Sequence, residues 1–210
     1  MSSETPSIRV MVVDDHPLFR EGVAAVLEAQ DDMALVAEAV NGEEAIVCFR
    51  KHRPDVTLMD LQMAGMGGFD AIRSIIGEFP QARIVVLTTY RGDMQATRAL
   101  KAGAAGYLLK STLRKELLQT IRQVHEGHRH IPSDVARAIA EHVGDDVLSM
   151  RELQVLSQVA SGFSNKRIAV HMGISVETVK THMKSILAKI NARDRTEAVV
   201  IAMRRGIIDA

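Results

Sequence analysis

Four short stretches of this chain place chemically capable side chains at the ends of apolar runs. Val13-Asp14-Asp15 closes the first run and Leu58-Met59-Asp60-Leu61-Gln62-Met63 the third. Leu87-Thr88-Thr89 closes the fourth and Tyr107-Leu108-Leu109-Lys110 the fifth. Taken singly, each residue is ordinary: a strand-end Asp caps a helix, a Lys after a strand sits in solvent, a Thr favours strands. Gathered together they become a site. Three carboxylates in one crevice raise one another's pKa, so positive charge must compensate. Lys110 supplies one charge. A hard divalent cation supplies two, and Mg²⁺ suits a few carboxylates plus a phosphate. A carboxylate so placed can be the nucleophile in phosphoryl transfer and become an aspartyl phosphate, its phosphoryl oxygens neutralised by metal and lysine.

The elements between these stretches decide whether they meet. Apolar runs at residues 8–13, 35–40, 56–59, 84–87 and 106–109 are short, rich in Val, Ile and Leu, and apolar on successive residues. Such runs suit parallel strands buried on both faces. Amphipathic helices alternate with them. Phe19, Val23, Val26 and Leu27 follow Pro17, Asn41 with Glu44 opens a helix carrying Ala45, Ile46 and Phe49, and Phe69, Ile72 and Ile76 mark a third that stops before Pro80. Residues 94–102 form a fourth, closed by Gly103, and Leu113, Leu117, Ile121 and Val124 a fifth, closed by Gly127. Strict alternation implies right-handed crossovers and a doubly wound α/β fold. In a five-stranded parallel sheet of order 2-1-3-4-5, the four strand ends converge on one crevice.

Beyond Gly127 the pattern changes. Residues 128–146 read as a linker with one helix at 131–143, capped by Ser133, with Val135, Ile139 and Val143 on one side. His125, His128 and His130 fall here; their offsets allow a metal, and a solvated helix end would look the same. From Val147 onward only helices are signalled. Ser149 with Glu152 makes a capping box for a helix to Ser161, Ser164 opens a short helix to Met172, Ser175 a longer one at 176–190, and the last spans 195–205. The short and longer helices, joined by Gly173-Ile174-Ser175, form a small all-α helix-turn-helix signature. Val179, Met183, Ile186 and Ile190 face the core. Glu177, Lys180, Thr181, Lys184 and Ala188 face outward, so Lys180 and Lys184 suit a major groove while Thr178 and His182 lie where phosphates pass. A solvated basic helix would show the same pattern.

The chain of 210 residues carries 26 Lys and Arg against 26 Asp and Glu, so its net charge of zero points to no polyanionic partner. Divided, the balance separates: residues 146–210 hold ten basic and six acidic side chains, leaving an acidic N-terminal part. A basic helical half joined to an acidic half suggests nucleic-acid contact by the former. A single cysteine, Cys48, excludes an internal disulfide and reads as a small core residue or, alternatively, a redox sensor. The first seven residues lack the basic and apolar regions of a signal peptide, and no apolar run reaches the ~18 residues of a membrane span, so a cytoplasmic protein is expected.

Asp14-Asp15, Asp60, Thr88 and Lys110 resemble the receiver domain of bacterial two-component response regulators, over residues 8–127. Leu148-Ser149-Met150-Arg151-Glu152, Gly162-Phe163-Ser164-Asn165-Lys166, the run from Ile174 to His182, and Arg195-Thr196-Glu197-Ala198 resemble the LuxR-type DNA-binding domain, over residues 147–210. The combination is similar to the NarL/FixJ family. The resemblance implies that Asp60 accepts a phosphoryl group from a sensor histidine kinase. It implies Mg²⁺ ligation by Asp15, Asp60 and the backbone carbonyl of Gln62, with Asp14 acting through water, and a switch formed by Thr88 and Tyr107. It implies base reading by Lys180, Thr181 and Lys184, further DNA contact around Asn165 and Lys166, and pairing of two copies through the last helix. Val199 and Met203 fit that pairing seam and fit a core equally well. No activity is implied beyond acceptance of a phosphoryl group and its slow hydrolysis.

Two departures stand out. Ala64 and Gly67 occupy positions where many receivers have Pro and an acid or Asn, which predicts a looser loop after Asp60; Ser111 replaces a Pro common after the lysine. Rival readings make different demands. A Mg²⁺-dependent phosphatase using an aspartyl phosphate wants a second acid two residues after the nucleophile, where Gln62 stands. A regulator sensing a small ligand wants an apolar pocket in place of the acid cluster. A nucleotide-binding protein wants a Gly-rich loop ending in Gly-Lys-Ser/Thr, which is missing.

Overall fold

The computed structural model describes residues 7–89, 93–141 and 148–208. The first six residues and Val143 therefore lie outside the described residues. Two compact units are present: the first is built largely on residues 7–89 and 96–133, the second on 134–208.

In the first unit, five parallel strands run in the order β2-β1-β3-β4-β5, as the alternation of apolar runs and helices predicts. They are β1 (Ile8–Val13), β2 (Met33–Ala39), β3 (Val56–Asp60), β4 (Ile84–Thr88) and β5 (Gly106–Leu109). The connecting helices are α1 (Pro17–Glu28), α2 (Gly42–His52), α3 (Gly68–Glu78) and α4 (Asp93–Lys101), and α5 (Leu113–His125) follows β5. Strands β3, β4 and β5 are buried at every position. Strand β2 departs from the expectation of two buried faces: only Met33 and Ala39 are fully covered, because β2 is an edge strand. Val40, expected inside that strand, falls past its end and is exposed, as is Val26 on α1. The core packs Val10, Val12, Leu58, Val85 and Leu87 against Val23, Leu27, Leu117, Ile121 and Val124.

Local signals set the helix ends. Pro17 occupies the first turn of α1, where its missing N–H costs nothing. The Asn41 side chain accepts the Glu44 N–H at 2.8 Å and starts α2. Gly103 takes φ +103° after α4, a conformation that side chains resist.

Register positions the site. Val13 pairs with Met59, Asp60 with Leu87, and Thr88 with Leu109. Asp14, Asp60, Thr88 and Lys110 therefore lie level across four neighbouring strand ends. At the opposite edge of β5, His130 forms one parallel rung: its N–H donates to Ala105 and its carbonyl accepts from Tyr107 at 2.8 Å. His130 thus is not the solvated helix end it resembles.

The second unit is all helical. Helix α6 (Ser133–Glu141) falls within the expected linker; α7 (Met150–Ala160), α8 (Asn165–Met172), α9 (Val176–Lys189) and α10 (Arg195–Arg204) follow. Ser149 and Glu152 form the complete capping box at α7, and Ser164, Ser175 and Asp194 cap the next three helices with their side-chain oxygens. Leu156, Ile168, Val179, Ile186, Ala198 and Ala202 meet in one core. Among the described residues, no helix is long and apolar enough to cross a membrane.

Candidate functional site

The crevice at the carboxyl ends of β1, β3 and β5 is organised around Lys110. Its Nζ lies 2.7 Å from Asp14 Oδ2 and 2.8 Å from Asp60 Oδ2. The chain holds that ammonium from three sides: the Lys110 N–H donates to the Thr88 carbonyl at 2.7 Å, the Phe19 ring sits 4.6 Å from Nζ, and both carboxylates face it. Asp14 is fully buried and Asp60 is 3% exposed. Burial pushes the Asp60 carboxyl above its ordinary range; Lys110 opposes the shift and Asp14 adds to it. Burial works against the charge on Lys110, yet Asp14 and Asp60 together hold its pKa above the ordinary value.

Asp60 is served by few donors. Besides Lys110, the Gln62 N–H donates to its Oδ1 at 3.3 Å. The loop beyond is pinned, in contrast to the looseness its sequence predicts. The Gly42 N–H donates to the Met66 carbonyl at 3.0 Å, and the Met66 N–H to Glu43 Oε2 at 3.2 Å. Gly68 is obligatory here, since a Cβ on it would sit 2.1 Å from the Asp60 carbonyl oxygen. That close approach lets α3 begin directly beside the acceptor strand.

Thr88 and Tyr107 meet on adjacent strands. Tyr107 is fully buried, its phenol is hydrogen-bonded to Thr88, and burial pushes its pKa up to about 12. The neutral phenol therefore persists across the physiological range, with its ring inward.

The acids fit a cation. Asp14, Asp15, His16 and Asp60 bring one ligand atom each within 4.8 Å of one another. Asp14 Oδ2 and Asp15 Oδ1 are buried, and each is held by one close ion pair, with Lys110 and His16 respectively, both at 2.7 Å. Three carboxylates against one lysine leave net negative charge, which suits a hard divalent ion. Among the described residues this is the one place where three or more such side chains gather. His128 and His130 instead approach single acids, Glu126 at 3.6 Å and Glu116 at 4.0 Å.

In the second unit, α9 lays Val179, Met183, Ile186 and Ile190 inward and leaves Glu177, Lys180, Thr181, Lys184 and Ala188 exposed. Lys180 pairs with Glu177 at 3.1 Å, and the Thr181 hydroxyl donates to the Glu177 carbonyl. Thr178 is occupied locally: its hydroxyl lies 2.8 Å from Ser175 Oγ in the helix cap. His182 and Asn165 are half-buried, and Lys166 is exposed. Val199 and Met203 are half-buried against the core, with Val200 the more exposed neighbour.

Several contributors escape a reading of the sequence. Arg20 and Phe19 touch the crevice, the Arg20 guanidinium donating to the Asp14 carbonyl at 2.7 Å; His16, whose place after the acid pair fits lining the crevice, capping a helix or facing solvent equally well, meets both acids. The one advance signal is their position just after the acid pair. Glu152 exceeds its capping role: its carboxylate accepts from Ser149 N–H and Ser185 Oγ, each at 2.6 Å, and from Lys189 Nζ at 2.9 Å. It thereby ties α7 to α9.

An acid-and-lysine crevice on a doubly wound sheet, followed by a helix-turn-helix unit, defines a class of regulatory proteins that join a receiver to a DNA-binding module. Residues 10–122 match the response regulator receiver domain, and residues 146–202 match the LuxR family of bacterial regulatory proteins. The chain is 41% identical to the transcriptional regulatory protein YxjL of Bacillus subtilis, over 96% of this chain and 97% of YxjL. It is 38% identical to LiaR of the same organism, over 96% and 100%. RcsB from Salmonella enterica serovar Typhimurium, solved on promoter DNA with phosphomimetic BeF₃⁻, superposes with a TM-score of 0.71 at 26% identity, over 93% of this chain and 97% of RcsB. The chain belongs to the two-component response regulators with a LuxR-type DNA-binding domain.

Proposed function

We propose that Asp60 accepts a phosphoryl group from a sensor histidine kinase in the cytoplasm, and that this controls binding of the helical unit to double-stranded DNA. The receiver spans residues 8–127, the linker 128–146 and the DNA-binding domain 147–210. The observation that carries this reading is the Lys110 bridge. One ammonium, 2.7 and 2.8 Å from two buried carboxylates, sets positive charge against the push of burial toward a neutral Asp60. An ionised Asp60 oxygen can then attack phosphorus while the bond to the donor's imidazole nitrogen breaks.

Mg²⁺ held by Asp15, Asp60 and the Gln62 carbonyl, with Asp14 through water, would supply charge neutralisation at the phosphoryl oxygens. Lys110 pairs with one of those oxygens as it leaves the Asp60 carboxylate. The Thr88 hydroxyl exchanges its Tyr107 partner for another, which makes the Thr88–Tyr107 pair a local event able to bias a bistable element. Gln62 offers no acid for rapid hydrolysis, so the group persists and is lost slowly. In the helical unit, Lys180, Thr181 and Lys184 face the bases, with Asn165, Lys166, Thr178 and His182 toward the backbone. Two copies paired through Val199 and Met203 of α10 place two recognition helices on one duplex, multiplying a weak single contact.

Incubation of the full chain with acetyl phosphate and Mg²⁺, followed by peptide mass spectrometry, tests the acceptor. A phosphoryl label on the Asp60 peptide, absent from Asp60→Ala and from chelator-treated protein, is expected. A label that survives Asp60→Ala refutes the assignment.

A further inference from the structure

We infer that the groove at the amino ends of β3 and β4 is a binding site for a free nucleoside monophosphate, with the base stacked on the Arg53 guanidinium and the phosphate held by Arg83.

The groove has a volume of about 370 Å³, within the range of roughly 300–1,000 Å³ that small ligands fill. Two of its residues, Phe49 and Phe79, stack with ring centroids 5.2 Å apart, and the Arg53 guanidinium lies 3.7 Å from the Phe79 centroid. Arg53 is exposed, so the stack presents a planar cation to the groove, a surface on which nucleobases stack. Arg83 is half-buried, and among the described residues its side chain makes no hydrogen bond or ion pair. The groove's two carboxylates are already engaged: Glu78 lies 2.7 Å from Arg50 Nη2, and Asp55 accepts the Arg9 N–H at 2.9 Å. With Arg9 and Arg50 beside Arg53 and Arg83, four guanidinium groups stand against two carboxylates. That surplus suits an anion, and the uncommitted Arg83 fork matches a phosphate.

Arg53 holds its place against its backbone preference. It ends α2 in the left-handed region, φ 47° and ψ 61°, where glycine is the ordinary residue, and Pro54 after it restricts it further. Its Nε–H donates to the Arg50 carbonyl at 3.1 Å, which fixes the guanidinium plane. An exposed cation–π contact returns no more than the left-handed strain costs, so glycine would serve the fold as well. Strain that a fold retains in this way concentrates at ligand sites. Asp55 and Arg83 directly precede β3 and β4, the strands whose far ends carry Asp60 and Thr88. A nucleotide in the groove therefore sits at the opposite end of the sheet from the acid crevice and shares no residue with it.

Titration calorimetry of the full chain with adenosine monophosphate, adenosine and inorganic phosphate tests the inference. The monophosphate is expected to bind at one site, at least about tenfold tighter than adenosine or phosphate alone. Arg83→Gln should weaken the monophosphate about tenfold and leave adenosine unchanged, because it removes only the phosphate contact. Arg53→Gly should weaken both nucleotide and nucleoside by at least about threefold while thermal unfolding stays at or above wild type. Lys180→Ala combined with Lys184→Ala should bind the monophosphate like wild type, which separates the groove from the exposed cations of α9. Absence of saturable binding at about 1 mM monophosphate overturns the assignment. So does affinity within about twofold of wild type in Arg83→Gln, whatever the fate of Arg53→Gly, or loss of binding in the α9 double variant.

Discussion

Two of the buried carboxylates that face a lysine, Asp60 and Glu152, are shifted in opposite directions. Asp60 in the receiver is pushed up by burial, with Lys110 and one long backbone contact set against it and Asp14 beside it. Glu152 in the helical unit is held down at about 2: burial opposes, but Ser185, Lys189 and Ser149 supply donors to both oxygens. The difference is one of satisfaction. Glu152 has every partner it needs and serves as a fixed strut beneath α9. Asp60 shares its lysine with another acid and is left short of positive charge, which suits a group that acquires a cation and a phosphoryl group in use. A fully satisfied polar cluster builds structure, whereas a partly satisfied one stores the capacity to react.

That contrast can be broken by mutation. Glu152→Ala removes a buried carboxylate from the half-buried Lys189 ammonium and the Ser185 hydroxyl, and is expected to cost the helical unit about 3 kcal/mol. Chemical denaturation of the full chain checks it, and a loss below ~0.5 kcal/mol would reduce Glu152 to a surface pair. Acid should reproduce most of this effect. A carboxyl lowered from its ordinary value of 4.5 to about 2 contributes stability that is present above pH 4.5 and disappears as pH falls toward 2. On the order of 2 kcal/mol should vanish across that window in wild type and be missing from Glu152→Gln.

The exposed cations above the strut give a third, smaller effect. Lys180→Ala combined with Lys184→Ala should weaken binding to selected duplex DNA about tenfold and lower the slope of log affinity against log salt by about 2, with folding stability unchanged. Unaltered, salt-sensitive binding would remove α9 from the groove. Smallest in size and opposite in sign is Asp60→Asn. Removing a carboxylate that burial and Asp14 disfavour should raise the receiver's stability at neutral pH by about 1 kcal/mol. The gain should shrink in acid, where protonation of Asp60 relieves wild type of the same penalty. A destabilised Asp60→Asn would mean that Asp60 is a structural acid like Glu152.

The sequence displays the receiver's acids and lysine plainly because each closes an apolar run, and parallel alternation admits few arrangements of strand ends. Which strand stands at the edge is not written in such runs, so β2 reads as fully buried when it is not. Gly68 is visible as a letter, but its reason, contact with the Asp60 carbonyl, depends on where α3 starts relative to β3. His16 sits beside the acid pair in the chain, and only its side-chain orientation directs it to them. Glu152 reads as half of a capping box; its other partners lie 33 and 37 residues away on α9, beyond any local pattern.

The most direct test of the account measures DNA affinity before and after phosphorylation. Duplexes are selected from a random pool with acetyl-phosphate-treated protein, then bound by wild type and Asp60→Asn, each with and without the phosphodonor and Mg²⁺. The account predicts that treatment tightens wild-type binding at least about tenfold and makes it cooperative, while Asp60→Asn stays at the untreated level. Binding by Asp60→Asn as tight and cooperative as that of phosphorylated wild type would contradict it.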